Sequence, residues 1–253
     1  MRQLYHASLL LGFDPRQLIG LKYFHNFVKD LVRFRKLGGH VDAWYPILVD
    51  KHGQAGAARG HYFHGDLLVA QKIFRADPPR HVDVGSRIDG FVAHVAAFRS
   101  IEVMDVRPLD APIRNIKFVQ RDILALADGD CEYSESVSCL HALEHFGLGR
   151  YGDTIDPRGH EKGFKNLLRL TKTGGTLYLS VPIGRPAVEF NAHRVLDPVE
   201  VIRWCDRQAF VRDFSFVDDG GALHGGVPVE KIAAACGNLR FGCGIYEIQK
   251  ISR

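Results

Sequence analysis

The chain has 253 residues, enough for one α/β domain with a modest extension or at most for two small domains, and its composition of 46% hydrophobic and 25% charged residues is ordinary for a globular protein. Its 33 basic and 29 acidic residues leave a formal net charge of +4, too small and too evenly spread to indicate a nucleic-acid partner. Five cysteines without a C-x-x-C pair argue against a disulfide scaffold or a structural zinc and favour a cytoplasmic location, and no segment predicts an integral membrane helix.

Residues 1–80 precede the first predicted core strand, and we expect them to form a helical cap or lid. Asp14 and Pro15 suit a helix start, and apolar residues continue at helical spacing to a stop at Gly38 and Gly39. Lysines and arginines give this helix a basic face. Such a face is typical of the solvated side of a core-packing helix, and also of a helix that docks on a membrane surface or a partner.

A glycine-rich stretch at residues 50–65 comes next. It predicts a mobile loop that carries the aromatic and histidine side chains of residues 61–64. A loop in this place is able to close over a ligand or to pack against the sheet. Asp66 is the predicted N-cap of a short helix over residues 67–74.

Residues 81–90, with the sequence HVDVGSRIDG, form the most informative pattern of the chain. A short apolar strand stops at a glycine, passes a polar turn and leads into a predicted helix over residues 91–98. This order is typical of the first unit of a nucleotide-binding α/β domain, where glycine lets the backbone approach a ligand at a helix N-terminus. A glycine turn with a packing role alone gives the same pattern. The cofactor-binding residues predicted here are Asp83, Gly85, Ser86, Arg87 and Gly90.

The same turn discriminates between cofactors. A dinucleotide-binding turn needs glycine at the position of Arg87, because a side chain there blocks the pyrophosphate, so NAD and NADP are disfavoured. S-adenosylmethionine has no pyrophosphate, although Arg87 also departs from the glycine-rich turn usual in its enzymes. A second apolar run, residues 101–104, ends at Asp105 and Val106, about twenty residues after Asp83, where such units place the ribose-binding acid.

The rest of the chain alternates strands with helices. After the third strand, Asp122 is expected to accept a hydrogen bond from an adenine amino group, with Ile123 against the ring face. Seven strands that alternate with helices predict a doubly wound sheet, with its ligand crevice at the carboxyl ends of the strands. The predicted strands that follow Asp105 are residues 116–120, 136–140, 176–181, 210–217 and 241–248, and the predicted helices are 161–171, 197–206 and 229–236.

These segments resemble the class I S-adenosylmethionine-dependent methyltransferase superfamily. The resemblance rests on Asp83 with Gly85, Asp105, Asp122, the run from Ser138 to His145, and LLRLTKTGGTLYLSVP at residues 167–182, which is the most specific match. YFHGD near Tyr62, HVDVGSRIDGF and MDVRPL resemble the uncharacterised domain of unknown function 268 family, over residues 44–198.

The resemblance implies a fold, a cofactor and one more site residue. The fold is an α/β, doubly wound, seven-stranded and mostly parallel Rossmann-like sheet over residues 81–253, behind the N-terminal helical cap. The cofactor is S-adenosyl-L-methionine, and His141 is implied to lie beside its methionine part. The resemblance brings no established methyl acceptor.

The acid–base groups are sought after the fourth and fifth strands. Methyl transfer depends on aligning donor and acceptor, and an oxygen or nitrogen acceptor benefits from a nearby base. His193, in an irregular insert over residues 183–194, is the predicted base, Arg194 is predicted to orient an anionic or hydroxylated acceptor, and His145 is a further catalytic candidate. Histidines in such loops are also often structural. His141 and His145 lack a third metal ligand and an H-E-x-x-H motif, so we predict no metal.

The sequence therefore predicts a methyltransferase that acts on a small metabolite, and a sugar or glycan-precursor hydroxyl suits the His/Arg loop. One alternative is a non-catalytic binding or scaffold protein that keeps the same fold. Another is an NAD-dependent oxidoreductase, which Arg87 weakens. The oligomeric state is not indicated.

Overall fold

A computed structural model describes residues 20–251, apart from the side chain of Asp128. These residues divide into two compact units, the first ending at residue 57 and the second beginning at residue 58. No helix within the described range is long and apolar enough to cross a membrane.

The first unit contains helix α1 (Phe24–Lys36) and a short 3-10 turn at Asp50–His52. Three basic residues occupy the last turn of α1, where the free carbonyl groups of a helix favour positive charge. The helix ends immediately before the predicted stop at Gly38, whose φ of 90° suits glycine. The predicted helix start at Asp14 and Pro15 lies outside the described residues.

The second unit is a sheet with helices on both faces. Its helices are α2 (His61–Ala76), α3 (Ala93–Ala96), which follows a π-helical turn at Ile88–Val92, α4 (Gly159–Leu170), α5 (Glu200–Cys205) and α6 (Ile232–Cys236). Its strands are β1 (His81–Val84), β2 (Ile101–Asp105), β3 (Ile116–Gln120), β4 (Ser134–Leu140), β5 (Thr171–Ile183), β6 (Ala187–Glu189), β7 (His193–Val195), β8 (Ala209–Val217), β9 (Leu223–His224) and β10 (Gly242–Lys250).

Eight strands form the main sheet, in the order β3-β2-β1-β4-β5-β10-β8-β9. The first five are parallel to their neighbours, whereas β10 runs antiparallel to both β5 and β8. The predicted doubly wound, mostly parallel α/β sheet is confirmed, and the additional strand is the two-residue β9. The strand order reverses between β1 and β4, so a ligand crevice is expected outside their carboxyl ends.

Two apolar layers cover the faces of the sheet. On one face, α4 buries Phe164 and Leu167 in a cluster that also includes Val137 from β4. On the other face, α2 buries Val69 and Ile73. Both faces of the parallel strands are therefore covered, which explains why β1 and β2 are buried along their whole length.

The start of α2 differs from the sequence expectation. The helix begins at His61, after Gly60 with φ 94°, so the residues predicted to form a mobile loop build its first turn. Asp66 lies inside this helix, is 6% exposed, and is not an N-cap. A Cβ added at Gly90 would lie 2.8 Å from Oδ2 of Asp66. Burial raises the pKa of Asp66 to about 6. The N-cap prediction for Asp66 is therefore wrong.

The insert after β5 also differs from the expectation. Residues 187–195 form an antiparallel hairpin, β6 with β7, rather than an irregular loop, and His193 pairs with Glu189 across it. The sequence placed the domain boundary at residue 80, whereas the compact units divide at residue 57 and leave α2 with the sheet. The cap role of residues 1–80 remains a prediction.

Candidate functional site

The carboxyl ends of the parallel strands surround the main cavity of the second unit. This cavity has a volume of about 680 Å³, and a smaller one of about 40 Å³ adjoins it. The two cavities share Gly85, Asp105, Arg107, Ala142, His145 and Tyr151. The crevice thus lies where the strand order reverses, as the fold requires.

Gly85 forms the floor of both cavities directly after β1. Its φ is 74°, and a Cβ there would lie 2.9 Å from the Cβ of Ala142. Its N–H donates to the carbonyl of Met104 at 2.9 Å, which fixes the turn against β2. Only glycine fits this conformation and this space, so the turn presents bare backbone to the crevice.

Asp83 supports this turn from below. It is fully buried, and its Oδ1 accepts bonds from the hydroxyls of Ser86 at 2.6 Å and Ser138 at 2.5 Å. Its Oδ2 accepts the Ser86 N–H at 3.0 Å. Burial raises the pKa of Asp83 to about 6, although the hydroxyl donors oppose that rise. Asp83 therefore holds the turn and does not line either cavity.

Asp105, at the end of β2, lines both cavities and is paired with Arg107. The backbone N–H and Nε of Arg107 donate to Oδ1 at 2.8 and 3.0 Å, and Nη2 donates to Oδ2 at 2.6 Å. The Arg107 guanidinium also lies 4.4 Å from the ring centroid of Tyr151. A carboxylate offers about four lone-pair sites, so Arg107 leaves roughly one of them for a ligand.

Three predicted residues line the smaller cavity beside Asp105: Val106, Asp122 and Ile123. Asp122 caps the 3-10 turn Ile123–Ala125, because its Oδ1 accepts the Leu124 N–H at 2.8 Å. Within the described part of the chain, Oδ2 of Asp122 takes part in no hydrogen bond. Ile123 is buried and forms an apolar wall. A carboxylate oxygen next to an apolar wall suits a flat, amine-bearing ring.

His141 follows β4 directly and lies in the wall of the main cavity. Its φ of 54° is unusual for a residue with a side chain, and its ring centroid is 4.3 Å from that of Tyr62 on α2. Burial, and then the nearby His61, lower its pKa to about 3. Its Nε2 is buried without a hydrogen-bond partner among residues 20–251. This is a neutral imidazole with one unused polar atom.

Glu144 and His145 follow on the 3-10 turn Leu143–His145. Glu144 is 3% exposed, and its Oε2 is also without a partner among the described residues. Burial raises the pKa of Glu144 to about 8, whereas burial and then Arg150 lower the pKa of His145 to about 4. Oε1 of Glu144 lies 3.8 Å from Nε2 of His145. Burial therefore favours the uncharged form of both groups.

His193 approaches the same cavity from β7. Its Nε2 is 3.9 Å from the carboxylate of Glu189, and its ring centroid is 5.0 Å from that of Phe241. The hairpin therefore brings His193 to the wall that also contains His141 and His145.

Arg194 does not reach this site. It is 3% exposed, and its guanidinium donates to the backbone carbonyls of Glu144 at 3.3 Å, Phe146 at 2.7 Å and Pro157 at 3.3 Å. It lines neither cavity. The prediction that Arg194 orients an acceptor is therefore wrong, because the hairpin turns this side chain into the protein.

Two residues of the glycine turn have different positions. Arg87 lines the main cavity and pairs with Asp89 at 2.7 Å, with its guanidinium 5.7 Å from the Tyr62 ring centroid. Gly90 lines neither cavity and instead lies against Asp66. Gly90 therefore serves helix packing, and its prediction as a cofactor contact is not supported.

The lining residues that sequence reasoning missed include Arg107, Arg150, Tyr151 and Phe241. Arg107 follows the predicted acid by two positions, which is the one local signal available for this set. Arg150 donates to the carbonyl of Ala192 at 3.0 Å and has no carboxylate partner among the residues described. No three His, Cys, Asp or Glu side chains between residues 20 and 251 are arranged to hold a metal ion.

The comparisons with known proteins agree with this architecture. The sequence pattern of a family described as "Caenorhabditis protein of unknown function, DUF268" matches residues 95–222, about half of the chain. No protein of curated function matches.

Several solved structures share the fold at low identity. The N-methyltransferase NodS from Bradyrhizobium japonicum WM9, in complex with S-adenosyl-L-homocysteine, is 13% identical, with a TM-score of 0.50 over 76% of this chain and 89% of its own. The [4+2]-cyclase SpnF is 14% identical, with a TM-score of 0.54 over 79% and 86%. The YcgJ protein from Bacillus subtilis is 13% identical, with a TM-score of 0.50 over 75% and 98%. At this identity the likeness concerns the fold.

Proposed function

The chain belongs to the DUF268 family of proteins of unknown function, and we propose that it is an S-adenosyl-L-methionine-dependent methyltransferase that acts on a small molecule. The observation that carries the proposal is the pair of adjoining cavities at the carboxyl ends of the strands. Asp122 lines the smaller cavity, His193 lines the main one, and Asp105 and His145 line both. A nucleoside-binding end and an acid–base end thus meet over the bare backbone of Gly85.

The residues present fit this cofactor. Gly85 leaves the space that a Cβ would fill, Asp105 would accept from ribose hydroxyls, and Asp122 with Ile123 would hold the adenine. His141, with its unpartnered Nε2, would lie beside the methionine part. Binding both ribose hydroxyls requires Arg107 to release part of the Asp105 carboxylate, since Arg107 already uses about three of its four lone-pair sites.

The bound cofactor supplies an electrophilic methyl group on a sulfonium. The chain itself has to align the acceptor with that methyl group, exclude water and accept a proton. His145 and His193 are the proton-accepting candidates. Arg150 replaces Arg194 as the group that would hold an anionic or hydroxyl-bearing acceptor, because it lines the cavity and has no carboxylate partner among the described residues. A sugar or glycan-precursor hydroxyl fits this chemistry.

The non-catalytic alternative is favoured by one observation, the Arg107 side chain on Asp105. If Arg107 never leaves, the ribose site is closed and the fold serves binding or scaffolding. As part of the proposal we place the enzyme in the cytoplasm, since its five cysteines, all within the described range, are free.

The proposal is tested by transfer of a tritiated methyl group from S-adenosylmethionine to a panel of sugar phosphates, hydroxy acids and small amines. We expect the protein to label one class. His193→Ala and His145→Ala should each keep cofactor affinity, and loss of the true base should lower turnover on the order of a hundredfold or more. Full turnover in His193→Ala would exclude His193, the residue predicted from the sequence, as the base. No labelling of any acceptor, despite tight cofactor binding, would favour the non-catalytic alternative.

A further inference from the structure

We propose that Glu144 and His145 form a proton-sharing pair that receives the proton of the methyl acceptor, with His145 Nε2 as the accepting atom and Glu144 as the positioning residue beside that atom. This inference rests on the proposed function and assigns the base within it. Both side chains are buried in the wall of the main cavity, on one short turn after β4.

The tautomer of His145 follows from its neighbours. Nδ1 lies 2.6 Å from the carbonyl oxygen of Ala192, and a carbonyl only accepts, so Nδ1 carries the hydrogen. Arg150 also lies 3.4 Å from Nδ1, but it donates to the same carbonyl at 3.0 Å instead. The lone pair is therefore on Nε2, which has no hydrogen bond to any described residue.

His145 alone is a weak base. Burial and the positive charge of Arg150 hold its pKa near 4, so its protonated form is costly. A carboxylate on Glu144, 3.8 Å from Nε2, would stabilise the imidazolium. Glu144 holds its own proton up to a pKa of about 8, because burial outweighs the opposing charge of Arg150. The pair therefore becomes a stronger base as Glu144 ionises.

Other charged or titratable groups face this pair from each surrounding element. Arg150 is the cation that acts on both side chains, since it opposes protonation of His145 and favours ionisation of Glu144. The groups are Tyr62 on α2, Cys139 on β4, His141 after β4, Arg150, Tyr151 and Asp153 in the following loop, His193 and Arg194 on β7, and Cys243 on β10.

Proton transfer to His145 accompanies methyl transfer to the acceptor. The acceptor atom loses its hydrogen to His145 Nε2 and bonds to the methyl carbon, while the electrons of the methyl–sulfur bond stay on sulfur. One positive charge leaves the sulfonium and one appears on the imidazolium. Where the rising pH has ionised Glu144, its carboxylate stabilises that charge until the proton leaves to solvent.

Imidazole NMR of the histidine-labelled full chain tests the pair without a known acceptor. We expect the Nδ1–H tautomer for His145, and an inflection of its ring signals near pH 8 that reports Glu144. Glu144→Gln should abolish this inflection. Glu189→Gln is the matched control, since Glu189 lies 3.9 Å from His193, and it should leave the inflection intact.

Three results would overturn the pair: an Nε2–H tautomer, no inflection in the natural protein, or an inflection that persists in Glu144→Gln. Selective broadening of the His145 signals by Mn²⁺ at low concentration would also overturn it, because the Nε2 lone pair would then serve a metal. Titration of the same variants with S-adenosylhomocysteine separates the two proposals. Failure of the natural protein to bind S-adenosylhomocysteine would count against the proposed methyltransferase function. The NMR titration tests the Glu144–His145 pair separately.

Discussion

Arg107 covers the carboxylate of Asp105 with three hydrogen bonds while its guanidinium lies 4.4 Å from the centroid of the Tyr151 ring. The acid expected to hold the ribose is thus already neutralised by a neighbour two residues away. Asp105 is 9% exposed and Arg107 is roughly half-exposed, so the pair can open towards solvent at modest cost. Cofactor binding and the ion pair therefore compete for the same oxygens.

Arg107→Met tests this competition. Removing the guanidinium frees both oxygens of Asp105, so S-adenosylhomocysteine should bind more tightly by up to about 1 kcal/mol, the range for a partly exposed ion pair. Calorimetry measures the change. Lys117→Met, which removes a 2.8 Å ion pair with Glu102 away from both cavities, is the control and should leave affinity unchanged. Weaker binding in Arg107→Met would mean that Arg107 itself contacts the ligand.

Gly85→Ala should damage the site and the fold together. An alanine at this positive φ would lower the free energy of unfolding by about 1–2 kcal/mol, and its Cβ, 2.9 Å from that of Ala142, would add an overpacking cost of about 1–3 kcal/mol. Gly174→Ala is the control, because it has φ 78° but no atom within 4 Å of its Cβ. Urea unfolding should rank Gly85→Ala as less stable, and it alone should lose cofactor binding. Equal losses in both variants would contradict this account.

Arg194→Ala should destabilise the protein without weakening the cofactor. It removes a buried guanidinium that donates to the carbonyls of Glu144, Phe146 and Pro157, and bonds of this kind contribute about 1.5–3 kcal/mol each when charged. We expect the unfolding free energy in urea to fall by about 3 kcal/mol. Arg150→Ala, at an exposed position, should change stability little and act on acceptor turnover. If Arg150→Ala destabilises the protein and Arg194→Ala instead lowers acceptor turnover, Arg194 would regain the acceptor-orienting role predicted from the sequence.

Glu144→Gln should stabilise the protein increasingly as the pH rises. Glu144 has a folded pKa of about 8 against an ordinary value near 4.5, so the folded state holds its proton longer than the unfolded state. The contribution of the protonated Glu144 side chain to the free energy of unfolding is therefore complete below about pH 4.5 and is lost progressively between about pH 4.5 and about pH 8. Urea unfolding at several pH values should show the advantage of the variant growing through this window and levelling off above it. An advantage that shrinks with pH would refute the neutral buried carboxyl.

The sequence predicted those parts of the fold that local patterns determine. The apolar run before Gly85, the third strand at residues 116–120 and the apolar run at residues 176–181 have local periodicity or turn chemistry, and the structure places strands there. The glycine pair expected to precede the fifth strand lies inside β5. The prediction of an irregular loop over residues 183–194 was wrong, because the pairing of Glu189 with His193 depends on contacts across the hairpin and not on a local signal.

Side-chain direction limited the prediction of the site. Asp66 has the residue type of an N-cap, yet the helix extends a further turn towards the N-terminus and buries it against Gly90. Arg194 and Arg150 look equivalent in the sequence. Only the fold directs the first towards buried carbonyl groups and the second towards the cavity.

Calorimetric titration of the natural protein and Asp105→Ala with S-adenosylhomocysteine and NAD tests the central claim most directly. We predict that S-adenosylhomocysteine binds and NAD does not. Asp105→Ala should weaken S-adenosylhomocysteine binding by about 1.5–3 kcal/mol, because hydrogen bonds to a charged acceptor are lost. Binding of NAD alone, or an affinity for S-adenosylhomocysteine that Asp105→Ala leaves unchanged, would contradict the account.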